Sequence, residues 1–340
     1  MDERHLPPVV PLPISPGSVP ELVARMGNTS FQARNLALAT EIWSNMLRDE
    51  VTIFLGLAGA MVPAGMRTLV AYLIQNRLID CLVSTGANLF HDLHESLGRP
   101  HRRGSATADD VRLRQALVNR IYDVYAPEEE IVASEDFITA FSEGLDAGRP
   151  YATREYLYLL GQRLGKLAKE EGILTSAARA GVPIYCPAIA DSVYGMAIAT
   201  GRAKSGHRLL FDVVKDALET LQIAVAAKGT GVIYIGGGVP KNFIQQTQVY
   251  GEILGRKLAG HRYAIQVTTD APQWGGLSGS SFEEARSWGK VAAGATAVTV
   301  YCEATIALPI MVSALAESCA EVIPKRKKPT FIMGEQLGIR

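Results

Sequence analysis

Apolar residues in this chain fall into short runs separated by stretches of helical period. Six runs, 51–57, 79–85, 183–189, 231–235, 263–268 and 297–302, are β-branched or apolar on both faces. Strands buried between two helical layers have this character. Between them, 65–76, 154–171, 209–227, 245–258 and 282–293 place apolar residues every three or four positions, which predicts helices. Strand–helix alternation with glycine at the strand ends predicts an α/β fold: a doubly wound, mostly parallel, Rossmann-like sheet with helices on both faces. The polar, irregular stretch from about residue 99 to 154 is expected to be a helical insertion after the second strand. Residues 7–20 hold six prolines and show neither period. Residues 1–20 therefore read as a semi-extended arm and 21–340 as one domain.

Composition narrows this picture. The 340 residues are 48% hydrophobic, enough for a large core. The 34 basic residues balance 34 acidic ones, which supports neither a nucleic-acid nor an anionic-membrane partner and mildly favours self-association. Cys81, Cys186, Cys302 and Cys319 contain no C-x-x-C pair and read as reduced core thiols of a cytoplasmic protein. The apolar stretches 51–66 and 295–316 are interrupted by Pro63 and by Glu303 and Pro309, so both read as buried strand–loop–helix units rather than membrane spans. The charged start is followed by prolines, unlike a signal peptide.

Ligands of open α/β sheets bind beyond the carboxyl ends of the strands. Here those ends carry Ala58, Gly59 and Ala60, then Thr85 and Gly86, Asp191, Gly236, Gly237 and Gly238, Thr269, and Glu303 with Ala304. Small residues admit a ligand to the backbone, helix-start amides favour phosphate, and acidic groups can hold ribose hydroxyls, an inventory that suits a dinucleotide. The G-x-G-x-x-G fingerprint is absent, and a triple glycine also serves any tight turn. Lys290 is the sharper signal. Glu284 and Trp288 share a helix face at i and i+4, Gly289 ends that helix, and an aromatic wall beside an amine depresses its pKa and makes it a nucleophile. The bland alternative is a solvated surface lysine. His91 and His94, with Asp92 and Glu95, have metal-pair spacing but no third ligand cluster, so no metal is expected. His101-Arg102-Arg103 reads as exposed surface.

Five motifs occur in order: F-L-G at 54–56, P-A-I-A-D at 187–191, I-G-G-G-V at 235–239, E-A-x-S-W-G-K at 284–290 and V-Y-x-E-A-T at 300–305. Together they resemble the deoxyhypusine synthase family, over about residues 30–320. The resemblance implies NAD as cofactor and a reaction with no net redox change. A polyamine is oxidised beside its secondary amine, a lysine takes over the aminobutyl group as an imine, and an acceptor amine displaces the lysine before reduction. By motif position it implies Lys290 as the imine lysine, Trp288 as the substrate-stacking ring and Glu284 as the amine-binding carboxylate. A cation beside such a ring gains about 0.5–2 kcal/mol. The strand-end residues above, Ala58 to Ala304, become the implied cofactor contacts, with His91 where the family has a cofactor-binding glutamate.

The departures bear on substrate. Ala58-Gly59-Ala60 stands where eukaryotic members have T-S-N. Met196 replaces an aspartate facing the polyamine, and Asn242 replaces a histidine. The aspartate-rich loop before the lysine reads Q-W-G-G-L-S-G here, with Trp274 and Leu277. A pocket that loses carboxylates should prefer small polyamine or guanidino-amine substrates to a protein lysine. Two other readings stay open: a true deoxyhypusine synthase acting on a translation-factor lysine, and a non-catalytic NAD-binding interaction protein. The resemblance and the zero net charge also imply a homotetramer.

Overall fold

The computed structural model describes residues 7–276 and 280–340. The six apolar runs form strands β1 (Thr52–Leu57), β2 (Cys81–Ser84), β3 (Ile184–Tyr185), β4 (Thr230–Ile235), β5 (His261–Thr268) and β6 (Val291–Tyr301). They pair in the order β6-β5-β4-β1-β2-β3, and each neighbouring pair is parallel. The order reverses where β1 lies between β4 and β2. Connections leave β1 and β4 in opposite directions there, which opens a crevice at their carboxyl ends.

Alternate strand residues feed two cores, as the two-residue side-chain period requires. Ile53, Leu55, Leu57, Ile233, Ile235 and Ile265 enter one, with Trp43 and Met46 of α2 (Phe31–Arg48), Ile74 of α3 (Arg67–Gln75) and Phe90 of α4 (Gly86–Ser96). Phe54, Val83, Val232, Tyr234 and Ala264 enter the other, with Ile244 of α5 (Gly238–Ile253) and Phe282 of α6 (Phe282–Ser287). Helix α7 (Ala304–Ser318) adds Leu308 and Met311 to the first core. No helix among the described residues is long and apolar enough to cross a membrane.

The structure corrects four readings. The expected helix over 282–293 stops at Ser287, because Gly289 takes φ 66° and the chain enters β6 at Val291. The helix expected from 209 begins at Val213, since Leu210–Phe211 pairs with Pro150–Tyr151 instead. The insertion is not simply helical. Arg102–Arg103, Val118–Ile121 and Val124–Pro127 form a three-stranded antiparallel sheet beside helices Asp110–Gln115 and Glu128–Glu143. The apolar residues of those short strands are too few and too polar in their surroundings to show a period of two. His101 is not exposed surface: its side chain is 5% accessible and hydrogen-bonded to His91 and Glu95.

The C-terminal segment closes the fold through buried charge. Arg326 donates to both oxygens of Asp80, at 2.9 and 2.5 Å, and to the carbonyls of Arg77 and Val51. Asp80 also accepts from Arg77 at 3.0 Å and from the amide of Ile53 at 2.9 Å. Arg154 grips Glu219 at 2.6 and 2.9 Å and spends further donors on the carbonyls of Gly334 and Glu335. This pins the hairpin Phe331–Met333/Leu337–Ile339 against the second core. Removing one partner of such a pair strands a buried charge. Asp80→Ala should therefore cost about 3–5 kcal/mol, read as a lower urea midpoint, whereas an unchanged midpoint would refute the role.

Candidate active site

The crevice between β1 and β4 is built from small residues for steric reasons. Gly236 and Gly238 hold φ 72° and 58°, and a Cβ on Gly236 would stand 3.4 Å from that of Ala58. A Cβ on Gly86 would fall 2.3 Å from the Ser192 hydroxyl. Helix α4 starts here behind Thr85, and α5 starts behind Gly237, so two sets of helix-start amides point at one crevice. Asn88 braces the loop after β1: it donates to the Gly59 carbonyl at 2.8 Å and accepts from the Val62 amide at 3.2 Å. Gly59, Ala60, Asp191 and Thr269 are exposed at the strand ends, and Ala304 lies in the first turn of α7. Glu303 precedes that turn. Burial draws its carboxyl pKa up, but the Thr305 hydroxyl and the amides of Ala304, Thr305 and Ile306 outweigh burial and hold it below the usual range. These groups fit a dinucleotide: small cradles, two helix starts and an ionised acceptor.

His91 and His94 face a network rather than open water. The Nδ1 of His91 lies 2.9 Å from Nε2 of His101, whose Nδ1 lies 2.6 Å from Glu95. His94 shares Nδ1 with the Ser134 hydroxyl at 2.9 Å. A carboxylate only accepts, so with neutral rings His101 donates to Glu95 and accepts from His91, leaving Nε2 of His91 as an acceptor. Burial, then the neighbouring His101, pushes His91 down to about 3 and His94 to about 4. Among the described residues no group of three or more His, Cys, Asp and Glu could hold a metal ion.

Lys290 occupies a different place. Ser281 and Glu284 close a reciprocal cap on α6: the Ser281 amide donates to Glu284 at 2.7 Å, and the Glu284 amide donates to the Ser281 hydroxyl at 3.2 Å. One Glu284 oxygen is thus committed to the cap. After Gly289, the Lys290 amide returns to the Ala285 carbonyl and its carbonyl accepts from His261, both at 3.0 Å. The Lys290 Nζ lies 5.5 Å from the Trp288 ring centroid, and burial lowers its pKa. Sequence reasoning gave no role to Lys241, which the structure buries completely in the first turns of α5. Its Nζ donates to Gln266 at 2.9 Å and to the Ser280 carbonyl at 2.5 Å, 5.6 and 5.9 Å from the rings of Phe282 and Tyr234. Burial first, then the charge of Lys290, pushes Lys241 down to about 8, against the pull of Glu284. The signal available in the sequence was a lysine three residues after a helix-start glycine.

Lys290, Trp288, Glu284 and Lys241 therefore form one patch, with Asn242 half-buried beside Lys241. Met196 and Trp274 are exposed, the first on helix Val193–Ser205 and the second after β5. Leu277 lies outside the described residues. The backbone of Lys290 stands at the amino end of the β5–β6 pair, where His261 pairs with Val291. Thr269 and Glu303 follow the carboxyl ends of the same strands.

The model of the family described as deoxyhypusine synthase matches residues 21–315. The chain belongs to the deoxyhypusine synthase family. Members of this family are NAD-dependent transferases. "Probable deoxyhypusine synthase 2" of Methanosarcina mazei is 51% identical over 326 residues, covering 95% of this chain and 93% of that one. A deoxyhypusine synthase-like protein of Coxiella burnetii is 39% identical, over 86% of this chain and 84% of its own. Among solved structures, a provisionally assigned deoxyhypusine synthase from Entamoeba histolytica superposes with TM-score 0.62 at 22% identity, covering 86% of this chain and 91% of that one, which shows a shared fold.

The depressed histidines generate a pH prediction for this family member. In the unfolded chain they bind protons below about 6.5, whereas the folded His94 stays neutral to about 4. Stability is therefore fully present above about 6.5 and falls as pH drops toward the folded value. His94, whose side chain is fully buried, should account for about 2–3 kcal/mol of the loss by pH 4. Urea unfolding of wild type and His94→Gln at pH 7 and pH 4.5 checks this: the variant should lose less on acidification, and equal losses would refute it.

Proposed function

We propose that the protein moves an aminobutyl-type group from a polyamine to a small amine acceptor, with Lys290 carrying the group between them and NAD bound in the β1–β4 crevice. The observation that carries this reading is the pair of lysine amines, both with lowered pKa, beside Trp288, Phe282 and one available Glu284 oxygen. When bound, NAD supplies the two-electron oxidation of the donor's C–N bond and its reversal at the end, so the net redox change is zero. Lys290 must be neutral to attack the electrophilic carbon of the oxidised donor. Its nitrogen bonds to that carbon, the C–N bond to the departing diamine breaks, and the proton released from the lysine nitrogen goes to the leaving amine. The acceptor amine then displaces Lys290 by the same step in reverse. Burial favours the neutral form of Lys290, and Lys241, with a pKa of about 8, suits proton exchange near neutral pH. The small-acceptor reading rests on Met196 and Asn242, which offer no charge to a second ammonium, and on the exposed Trp274 ring, which suits a guanidinium.

We further infer that two copies complete each site, within a homotetramer. The backbone of Lys290 starts from the amino end of the β5–β6 pair, whereas Thr269 and Glu303 follow the carboxyl ends of the same strands. A second copy would bring its crevice to the Lys290 patch, covering Trp274 and Trp288, which are 78% and 64% exposed.

Lys290→Ala should abolish transfer, by more than a thousandfold, while keeping NAD affinity in calorimetry. Borohydride added during turnover should fix the donor's alkyl group on wild-type Lys290, seen by peptide mass spectrometry; trapping elsewhere would overturn the role. With spermidine and NAD, putrescine or agmatine should yield an alkylated product, and exclusive modification of a protein lysine would overturn the small-acceptor reading. Subunit mixing tests the shared site. Lys290→Ala and Gly86→Val proteins, each inactive, should regain activity when co-assembled, whereas a site built within one chain would stay dead.

A further inference from the structure

The insertion hairpin has a feature that local structure does not explain. Strands Val118–Ile121 and Val124–Pro127 are joined by Tyr122-Asp123, and Tyr122 holds φ 54° with its side chain 74% exposed. Asparagine or glycine takes this backbone region with little strain, and a tyrosine does not. The conformation is held in place nonetheless. Arg120 donates to the Tyr122 carbonyl at 2.8 Å, and Asp110 grips Arg120 through two bonds of 2.5 and 2.6 Å. The Gly104 amide secures the Asp123 carbonyl at 2.7 Å. An exposed aromatic kept in a strained turn by a double brace points to a function for its ring.

That ring borders a cavity of about 810 Å³. One wall is the hairpin tip. The floor is the loop after β1, with Ala60, Met61 and Ala64, and the far side is Glu303 at the start of α7. Arg103 also lines the cavity and makes no ion pair among the described residues. The set is specific in its chemistry. A flat apolar floor and an aromatic face suit a planar base. Glu303, held ionised by the amides of its own helix start, is placed to accept from a pair of hydroxyls. Arg103 offers charge to a phosphate. Asp123, on the same wall, adds a second carboxylate and disfavours a ligand that is anionic throughout.

We propose that this cavity takes the adenosine half of the dinucleotide and that Tyr122 is the residue that stacks on the adenine. The inference rests on the NAD reading above and extends it to a hairpin that shares no strand with the central sheet. The insertion then acts as one wall of the cofactor site and adds affinity for the base through one ring at its tip.

The test is equilibrium binding of ADP-ribose and NAD, by calorimetry, to wild type, Tyr122→Asn and Tyr122→Phe, with thermal unfolding of each. Asparagine relaxes the turn, so Tyr122→Asn should melt no lower than wild type yet bind ADP-ribose and NAD about tenfold or more weakly, as loss of one stacking face predicts. Tyr122→Phe keeps the ring and should bind within about twofold of wild type. Unchanged affinity in Tyr122→Asn, with wild type binding NAD, would overturn this proposal alone. The same holds if Tyr122→Asn lowers the mass in light scattering but leaves ADP-ribose affinity intact, because the ring would then be covered by a second copy. Failure of wild type to bind NAD at all would overturn the cofactor reading and this proposal with it.

Discussion

The pairing of β1 with β4 is the contact on which the rest of the molecule depends. Six consecutive residues on each strand are in register, from Thr52 with Thr230 to Leu57 with Ile235. They join two halves that would otherwise be separate βαβ units. Because the halves wind outward from this pair, the loops at its carboxyl ends part and leave a crevice lined by backbone. The helix over this pair packs closely on it: a Cβ on Gly231 would come 2.8 Å from the sulfur of Met46 in α2. The glycines after β4 follow from the same constraint, since the chain must turn sharply away from Ala58 to start α5.

The second organising feature is electrostatic. Two lysines share one low-polarity patch, and the charge of Lys290 raises the cost of charging Lys241. Lys241 is the more deeply buried and carries the clearer shift, while Lys290 is reachable from solvent. The Lys241 amine donates to Gln266 and to the Ser280 carbonyl. A pKa of about 8 suits Lys241 to proton exchange near neutral pH.

The C-terminal 25 residues, 316–340, lie beyond the stretch matched by the family model. They are nonetheless tied into the core by Arg326 on Asp80 and by Arg154 on the final hairpin. The free energy of those buried pairs depends on both partners being present, so this segment is coupled to the amino ends of β1 and β2 rather than to the site.

By itself, the sequence determined the sheet. Strands buried on both faces must be apolar throughout, and glycine must follow them where helices turn back, so 51–57 and 231–235 were readable without any contact information. It also determined how the chain reaches Lys290, because E-A-x-S-W-G-K puts a glutamate, an aromatic and a helix-ending glycine at fixed offsets around one short helix. Only the tertiary structure decided what is nonlocal. Lys241 draws its lowered pKa from burial and from Lys290, about 50 residues away, and nothing in its immediate neighbours signals burial. His101 looked like part of an exposed basic run until the fold set it against His91 and Glu95 of α4. The insertion's strands are two to four residues long, too short for a period of two to register, and they exist because they pair with one another. Motif order along a chain says which residues share a family's chemistry, but the end of the sheet at which each one stands depends on strand direction, which only pairing reveals.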